Sequence, residues 1–359
     1  MITSRRTVLS AFTAAAAVSA LAACSSDGSD PGTSKTSSGG SGSAGAEAGK
    51  FPATVKHKYG TTTVQHKPTR VVTVGLVEQD MVIALGTVPV AVTKWIGAAD
   101  GEIYPWAKPA LHGAPLPKVL DNSKGPQIEQ IAALKPDLII AIWSDLKESD
   151  YRKLSQLAPT VAPPKGYVDY GAPWDVITGM VADAMGLSAT GAKIVRDVKG
   201  RFTAARKAHP EFKGKTAMVL GLYNGLCPYA ETDPRNRVQQ ELGFVYPSKF
   251  GKEFDKLGTG SISAERTKEF DFDVVAWVDS EANVLKTTGD LLKQTKAYQQ
   301  GREIYVPNNI PGTNKPSTYA AAFSMVTPLS LPWMLERYVP QLAAAVDGKP
   351  ATKVPTVKV

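Results

Sequence analysis

The longest helical pattern in the chain covers residues 188–209, SATGAKIVRDVKGRFTAARKAH. Its apolar residues recur at three-and-four spacing, which is the period of one helix face. These apolar positions are Ile194, Val195, Val198, Phe202 and Ala205. Ser188 is placed to cap the start of the helix, and Pro210 follows its end. At 1.5 Å per residue the helix would be roughly 30 Å long. The pattern therefore predicts a rigid strut that joins two bodies with little or no hinge.

Strand and helix patterns alternate in the part of the chain before this helix. An alternating segment that starts at Thr54 leads into an apolar run at 71–74, which predicts a hairpin followed by a buried strand. Further strands are predicted at 88–92 and 138–143, and helices at 78–85, 128–134 and 151–157. This alternation implies a parallel sheet, and ligands of such sheets bind at the carboxyl ends of the strands. We therefore expect binding residues in the loops that begin at Gly75, Thr93 and Trp143.

The part of the chain after residue 209 repeats this scheme. Strands are predicted at 217–222, 274–278 and 304–306, and helices at 234–242, 264–270, 290–299, 319–325 and 331–346. Residues 128–142 align without a gap on residues 264–278. The aligned pairs include Glu129 with Glu265, Leu134 with Phe270, Asp137 with Asp273 and Ile139 with Val275. Any helix followed by a buried strand could give the apolar pairs, whereas the two acidic pairs favour a duplicated α/β unit.

The N-terminus predicts export and lipid attachment. A short basic region precedes an apolar run at 8–22, which is too short to span a bilayer comfortably, and Leu21-Ala22-Ala23-Cys24 closes it. This pattern is typical of a lipoprotein signal, with Cys24 as the residue that carries the lipid. The alternative is a cleaved secretory peptide with an incidental cysteine. Arg5-Arg6 also resembles a twin-arginine signal, so the export route stays open.

Domain boundaries follow from these patterns. We predict a signal peptide (1–23), a Ser/Gly-rich flexible tether (24–52), an N-terminal lobe (53–187), the connecting helix (188–209), a C-terminal lobe (210–347) and a tail (348–359).

Composition and motifs exclude several classes of function. The 359 residues are 43% apolar and 21% charged, which is typical of a globular chain. The net charge of +8 is spread along the sequence, which argues against nucleic-acid binding. The sequence contains no P-loop, HExxH, CxxC or strand-borne G-x-S-x-G motif, so an enzyme is not expected. Nor do the histidines form a metal-binding group, and Cys227 reads as a small buried residue. The histidines are His57, His66, His112 and His209.

Several segments together resemble a known family. They are the Leu-Ala-Ala-Cys box, PTRVV before the first sheet strand, the unit at 78–90, IEQIAALKPDLIIA from Ile128, and QQELGF at 239–244. Over roughly residues 55–345 the chain is similar to ABC-transporter substrate-binding lipoproteins of the ferric-siderophore and cobalamin class. The resemblance implies the α/β periplasmic-binding-protein fold, with two lobes, each a mostly parallel sheet with flanking helices, joined by a single long helix.

The resemblance also implies a function. The chain would be an extracytoplasmic, lipid-anchored monomer without a cofactor, which captures a ferric siderophore between its lobes and delivers it to an ABC permease. Haem or cobalamin is the alternative ligand, with His112 or a tyrosine as a possible axial ligand. Glu129 and Glu265 occupy the positions at which the family docks on permease arginines. Their simpler role would be to interact with a helix dipole.

Ligand chemistry then selects candidate cleft residues. In a ferric siderophore the chelator already saturates the iron, so a binder needs aromatic walls and hydrogen-bonding or cationic groups rather than metal ligands. The strand-end loops supply such residues, and the candidates are Lys94, Trp95, Trp143, Tyr223, Tyr229, Arg235 and Arg237. Arg235 and Arg237 lie two apart on a predicted helix, so only one of them is expected to face the cleft. Trp106 and Trp174 are assigned to the core.

Overall fold

Two β-sheets, each with helices packed on it, make up the part of the chain that the structure describes. The computed structural model describes residues 47–251, 253–254, 260–310 and 312–357. The predicted signal peptide, Cys24 and the tether up to residue 46 lie outside these residues. A hairpin of β1 (Ala53–His57) and β2 (Gly60–Val64) precedes the first sheet, as predicted.

The first sheet is parallel throughout, with the strand order β5-β4-β3-β6-β7. Its strands are β3 (Val71–Thr73), β4 (Ala91–Thr93), β5 (Lys118–Leu120), β6 (Leu138–Ile140) and β7 (Thr160–Val161). Its helices are α1 (Glu78–Ala84), α2 (Ile128–Ala133), α3 (Glu148–Ser155) and α4 (Trp174–Ala184). The predicted parallel sheet is confirmed, although β5, β7 and α4 were not predicted.

The second sheet has the order β11-β10-β8-β9, in which β9 runs antiparallel to β8. Its strands are β8 (Ala217–Leu222), β9 (Leu226–Pro228), β10 (Val274–Val278) and β11 (Glu303–Tyr305). The helices of this half are α6 (Pro234–Glu241), α7 (Glu281–Thr288), α8 (Asp290–Lys293), α9 (Lys296–Gln299), α10 (Thr318–Met325) and α11 (Ser330–Val346).

Two of the predicted helices differ in the structure. The helix predicted at 264–270 is a 3-10 helix, Ala264–Phe270, whose start is capped by Ser263. The helix predicted at 290–299 is divided into α8 and α9, because the Thr295 side chain accepts a hydrogen bond from Tyr298 N–H and starts a new helix.

The helix predicted at 188–209 is present as α5 (Ser188–Ala208), but Ser188 does not cap it. Its hydroxyl donates to Asp183 Oδ1 at 2.5 Å. The carboxylate of Glu47 takes the capping role instead, since it accepts the N–H groups of Ala189 (3.3 Å) and Thr190 (2.7 Å). Residues at the end of the predicted tether are therefore held against the folded body.

The aspartate pair of the internal repeat, Asp137 and Asp273, has the same structural role in both halves. Asp137 directly precedes β6 and accepts hydrogen bonds from Thr69 N–H (2.7 Å) and Arg70 N–H (2.8 Å), just before the neighbouring strand β3. Asp273 directly precedes β10 and accepts from Thr216 N–H (2.9 Å), just before its neighbour β8. Each carboxylate thus fixes the start of two neighbouring strands in the interior of its sheet.

Both sheets are apolar on both faces. The largest hydrophobic cluster takes one face of each sheet, with Val71 and Leu138 from the first and Val219 and Val274 from the second. Side chains of α1, α4, α5, α10 and α11 complete it. Because this core is continuous between the two halves, a hinge motion would have to separate packed apolar surface.

A buried carboxylate also joins the halves. Asp80 on α1 is fully buried, and its Oδ2 accepts hydrogen bonds from Trp106 Nε1 (2.7 Å) and from the hydroxyl of Thr327, which lies before α11. In the described part of the chain its Oδ1 has no hydrogen-bond partner. Desolvation raises the pKa of Asp80 to about 6, and the two hydrogen bonds oppose this rise.

Asp80→Asn should therefore change stability in a pH-dependent way. The pKa of Asp80 in the fold is about 6, against an ordinary value of 3.8, so its contribution to stability is present below about pH 4 and lost as pH rises through 6. Relative to the wild type, the variant should gain roughly 3 kcal/mol of unfolding free energy between pH 4 and pH 7.5. Urea unfolding of both proteins across this range measures the gain. A difference that stays constant with pH would contradict a raised pKa.

Candidate functional site

A cavity of about 800 Å³ lies where strands of both sheets end. The loops after β3, β4 and β6 contribute Leu76, Trp95 and Trp143, and the segment around β8, β9 and the start of α6 forms the other wall. A second cavity, of about 570 Å³, is lined by the C-terminal segment from Pro350 to Val357, by β11 and by the segments that follow β10 and β11. The larger cavity, called the cleft below, occupies the place that the parallel-sheet rule predicts for a ligand.

One wall of the cleft is aromatic. The rings of Trp95 and Trp143 lie 5.3 Å apart, and Tyr170 meets Trp143 edge-on at 5.2 Å. The hydroxyl of Tyr170 donates to Asp145 Oδ1 at 2.9 Å, which fixes the ring. These three rings offer apolar faces to a ligand at small entropic cost. Tyr170 was not predicted, because it lies in the long segment between β7 and α4.

Glu78 holds Trp143 in this wall. Its buried carboxylate accepts hydrogen bonds through Oε1 from the N–H groups of Ile142 (2.6 Å) and Trp143 (2.7 Å), and through Oε2 from Val77 N–H (3.1 Å). Desolvation raises the pKa of Glu78, and these hydrogen bonds oppose the rise. Gly75 makes room for the carboxylate, since a Cβ at this position would lie 1.9 Å from Oε1. The loop after β3 thereby positions the loop after β6.

The opposite wall carries a cation on an aromatic ring. The guanidinium of Arg235 lies 3.9 Å from the ring centre of Tyr229, and its Nη1 donates to Asp233 at 2.8 Å and 3.0 Å. Only 14% of the Arg235 side chain is exposed, and its buried Nε has no hydrogen-bond partner in the described part of the chain. Asp233 also caps α6 by accepting the Arg235 N–H. This wall therefore offers a preorganised hydrogen-bond donor group.

The structure brings five of the seven predicted cleft residues together around the cavity. They are Trp95, Trp143, Tyr223, Tyr229 and Arg235. Tyr223 is 66% exposed at the turn between β8 and β9. Cys227 also lines the cleft, and burial raises the pKa of its thiol.

Lys94 and Arg237 do not line the cleft. The side chain of Lys94 is exposed. The pKa of Asp121 is lowered mainly by the hydrogen bonds from Ser123, and the charge of Lys94 adds to this lowering. Arg237 lies behind the lining and donates to the carbonyl of Gly171 at 2.8 Å. As expected for positions two apart on a helix, only Arg235 reaches the cavity.

The two glutamates predicted to dock on a permease are exposed. Glu129 lies in the first turn of α2, and Glu265 lies in the first turn of the 3-10 helix Ala264–Phe270. Neither carboxylate has an ion-pair partner among the residues that the structure describes.

The two tryptophans that were assigned to the core have structural roles. Trp106 and Trp174 are buried, and the Nε1 of Trp174 donates to Glu241 at 2.9 Å. Within the described residues, no cluster of histidine, cysteine and carboxylate side chains is suited to hold a metal ion. None of the helices described here is long and apolar enough to cross a membrane.

Gly75→Ala should displace Glu78 and loosen Trp143. We expect the unfolding free energy to fall by about 1 to 3 kcal/mol, because the added Cβ has no space. The near-ultraviolet circular dichroism of the tryptophans should change with it. Gly200→Ala is the matched control, since an added Cβ there meets nothing within 4 Å. It should gain roughly 0.5 to 1 kcal/mol. A Gly75→Ala protein with wild-type stability and spectrum would refute the role of the Glu78 contact.

Three proteins are similar to this chain in sequence or in fold. A periplasmic solute binding protein from Mycobacterium smegmatis is 32% identical, with a TM-score of 0.70 over 82% of this chain and 98% of that one. PiaA from Streptococcus pneumoniae, solved in complex with ferrichrome, is 26% identical, with a TM-score of 0.70 over 83% of this chain and 99% of that one. The probable siderophore-binding lipoprotein YfiY of Bacillus subtilis is 28% identical over 264 residues, which are 69% of this chain and 78% of YfiY.

The family follows from these matches. Residues 71–310 match the family described as periplasmic binding protein, and this range exceeds half of the chain. The predicted α/β fold and the expectation that the chain is not an enzyme are confirmed by this match. The chain belongs to the periplasmic binding protein family, whose members bind substrates for transporters.

Proposed function

We propose that this chain captures a ferric siderophore in its cleft and delivers it to an ABC permease for iron uptake. The observation that carries the proposal is the cleft itself, in which the aromatic wall of Trp95, Trp143 and Tyr170 faces the Arg235–Tyr229 pair. PiaA with bound ferrichrome and the probable siderophore-binding lipoprotein YfiY support this assignment.

The cleft suits a ligand whose metal is already coordinated. Its volume of about 800 Å³ lies within the usual range of roughly 300 to 1,000 Å³ for small-molecule sites. The rings would cover the apolar surface of the chelator, and the guanidinium would donate to its oxygen atoms. No exchange of iron ligands is needed for binding or release, so the chelate enters and leaves intact.

Haem or cobalamin remains the alternative ligand. Haem would take an axial ligand from the protein, and His112 is exposed on a turn that does not line the cleft. Under this alternative, the tyrosines of the cleft would be the candidate axial ligands. We favour the siderophore, because it uses the arginine and needs no axial ligand.

Two lobes, 53–187 and 210–347, joined by the helix 188–209, would enclose the ligand. The continuous apolar core and the Asp80–Thr327 hydrogen bond support lobes that move little when the ligand binds. Capture would then depend on a preformed cleft rather than on closure of a hinge.

Titration of tryptophan fluorescence tests ligand binding. A ferric siderophore should quench the fluorescence saturably, because Trp95 and Trp143 line the cleft. Arg235→Gln should weaken binding by about 10- to 100-fold, since it removes charge-assisted hydrogen bonds. Arg237→Gln, two residues along the same helix but outside the lining, should have a much smaller effect. An absence of quenching by every ferric complex would contradict the proposed function, and equal losses in both variants would contradict the role of Arg235.

Glu129 and Glu265 are proposed to dock on the permease. Their equivalent places in the internal repeat support this role, as do their exposed carboxylates, which have no ion-pair partner among the described residues. Replacing both by Ala should leave ligand affinity nearly unchanged and abolish uptake in cells, because each loses a charge pair worth roughly 2 to 5 kcal/mol if it is buried. The double variant Glu148→Ala and Glu336→Ala removes two other exposed carboxylates and serves as control. Normal uptake by the Glu129/Glu265 variant would exclude docking, and loss of ligand binding would place these residues in the cleft.

Cys24 is proposed to anchor the protein, as a monomer, to the outer face of the cell membrane. The Leu-Ala-Ala-Cys box supports this proposal. Cys24→Ala should release the protein into the medium or leave it as an unprocessed precursor, which fractionation and mass measurement would show. Retention on the membrane with a cleaved signal would rule out lipid attachment. Sedimentation of the released protein as a dimer would exclude the monomer.

A further inference from the structure

The charged side chains that line the cleft each have a partner of opposite charge. The lining includes three of them, Asp169, Asp233 and Arg235. Arg235 pairs with Asp233 at 2.8 Å, and Asp169 pairs with Lys58 at 3.1 Å. Neither pair leaves a cation without an anion beside it.

The surroundings of the cleft do not alter this balance. At the rim, Lys147 lies 3.7 Å from Asp145 and 4.0 Å from Asp169. Arg237 lies behind the lining and is bonded to a backbone carbonyl, and Lys94 is exposed and outside the lining. Among the described residues, the ion pairs of the lining and the rim therefore join three cations to three carboxylates, and the least exposed cation, Arg235, already has a carboxylate.

This balance discriminates between classes of iron chelate. Three hydroxamates carry three negative charges, so their complex with Fe³⁺ is neutral. Three catecholates carry six, which leaves a net charge of −3, and carboxylate chelates such as ferric citrate are also anionic. Burial of an anion is costly unless cations compensate it, and no cation in the described lining of this cleft is without a carboxylate.

We propose that the ligand is a neutral ferric tris-hydroxamate. This inference rests on the proposed function and narrows its substrate class. Asp233 holds the guanidinium of Arg235 over the ring of Tyr229, so the arginine serves as a hydrogen-bond donor to chelate oxygens while its charge stays balanced. The aromatic wall opposite covers the apolar arms of the chelator. Asp233 is thus a specificity-determining residue, because its carboxylate withholds the charge that an anionic complex would need.

The test compares three probes at one ionic strength: ferrichrome as the neutral tris-hydroxamate, a tripodal ferric tris-catecholate of net charge −3, and ferric citrate. Wild-type protein should bind ferrichrome at least about 100-fold more tightly than either anionic complex. If no probe binds, the proposed function fails. If an anionic complex binds as tightly as ferrichrome or more tightly, only the substrate class is overturned.

Asp233→Asn makes the test specific to charge. Asparagine is also a good N-cap, so α6 should keep its start. The variant should narrow the preference for ferrichrome over the tris-catecholate by about tenfold or more, because the charge of Arg235 is no longer balanced. Asp290→Asn changes the net charge by the same amount at an 84% exposed site outside the cleft lining and should leave the preference unchanged. An unchanged preference in Asp233→Asn, or the same narrowing in both variants, would refute the role of the Asp233–Arg235 pair.

Discussion

The hydrogen bonds from the N–H groups of Ile142 and Trp143 to the buried carboxylate of Glu78 are the constraint on which the cleft depends. The loops after β3 and β6 would otherwise be free to choose their own conformations. A buried carboxylate is costly without partners, and three backbone donors in this loop pair satisfy it. Trp143 is therefore placed before any ligand arrives, and Trp95 and Tyr170 pack around it. A preformed aromatic wall lowers the entropic cost of binding.

The second half of the protein supplies the opposite wall, and there too one carboxylate makes several local contacts. Asp233 caps α6, neutralises Arg235 and, through that pairing, holds the guanidinium against Tyr229. The shared apolar core and the Asp80–Thr327 hydrogen bond fix the two walls relative to one another. Under the proposed function, a rigid cleft of balanced charge would select its ligand by shape, apolar surface and net charge, and it would release an intact chelate without any change at the metal.

Sequence reasoning succeeded where a pattern is long or has a geometric consequence. The period of residues 188–209 is sustained over several turns, and the structure has α5 there. The strand-end rule located Trp95 and Trp143 without any contact information. Neither β5 nor β7 lies in an apolar run: the first two residues of β5, Lys118 and Val119, are exposed, and β7 has only two residues. One available signal was missed: Asn224-Gly225 is typical of a tight hairpin turn and marks the connection between β8 and β9.

The remaining errors concern side-chain direction. Lys94 follows a strand as a cleft residue should, yet its side chain is exposed, and Tyr170 reaches the cleft from a long loop that carries no periodic pattern. Such directions depend on tertiary packing rather than on spacing.

A crystal structure of the protein with a ferric tris-hydroxamate, with iron located by its anomalous scattering, tests the central claim most directly. A single iron in the cleft between Trp143 and Arg235, without protein ligands, is the expected result. Iron outside the cleft, or coordinated by protein carboxylates, would contradict the account.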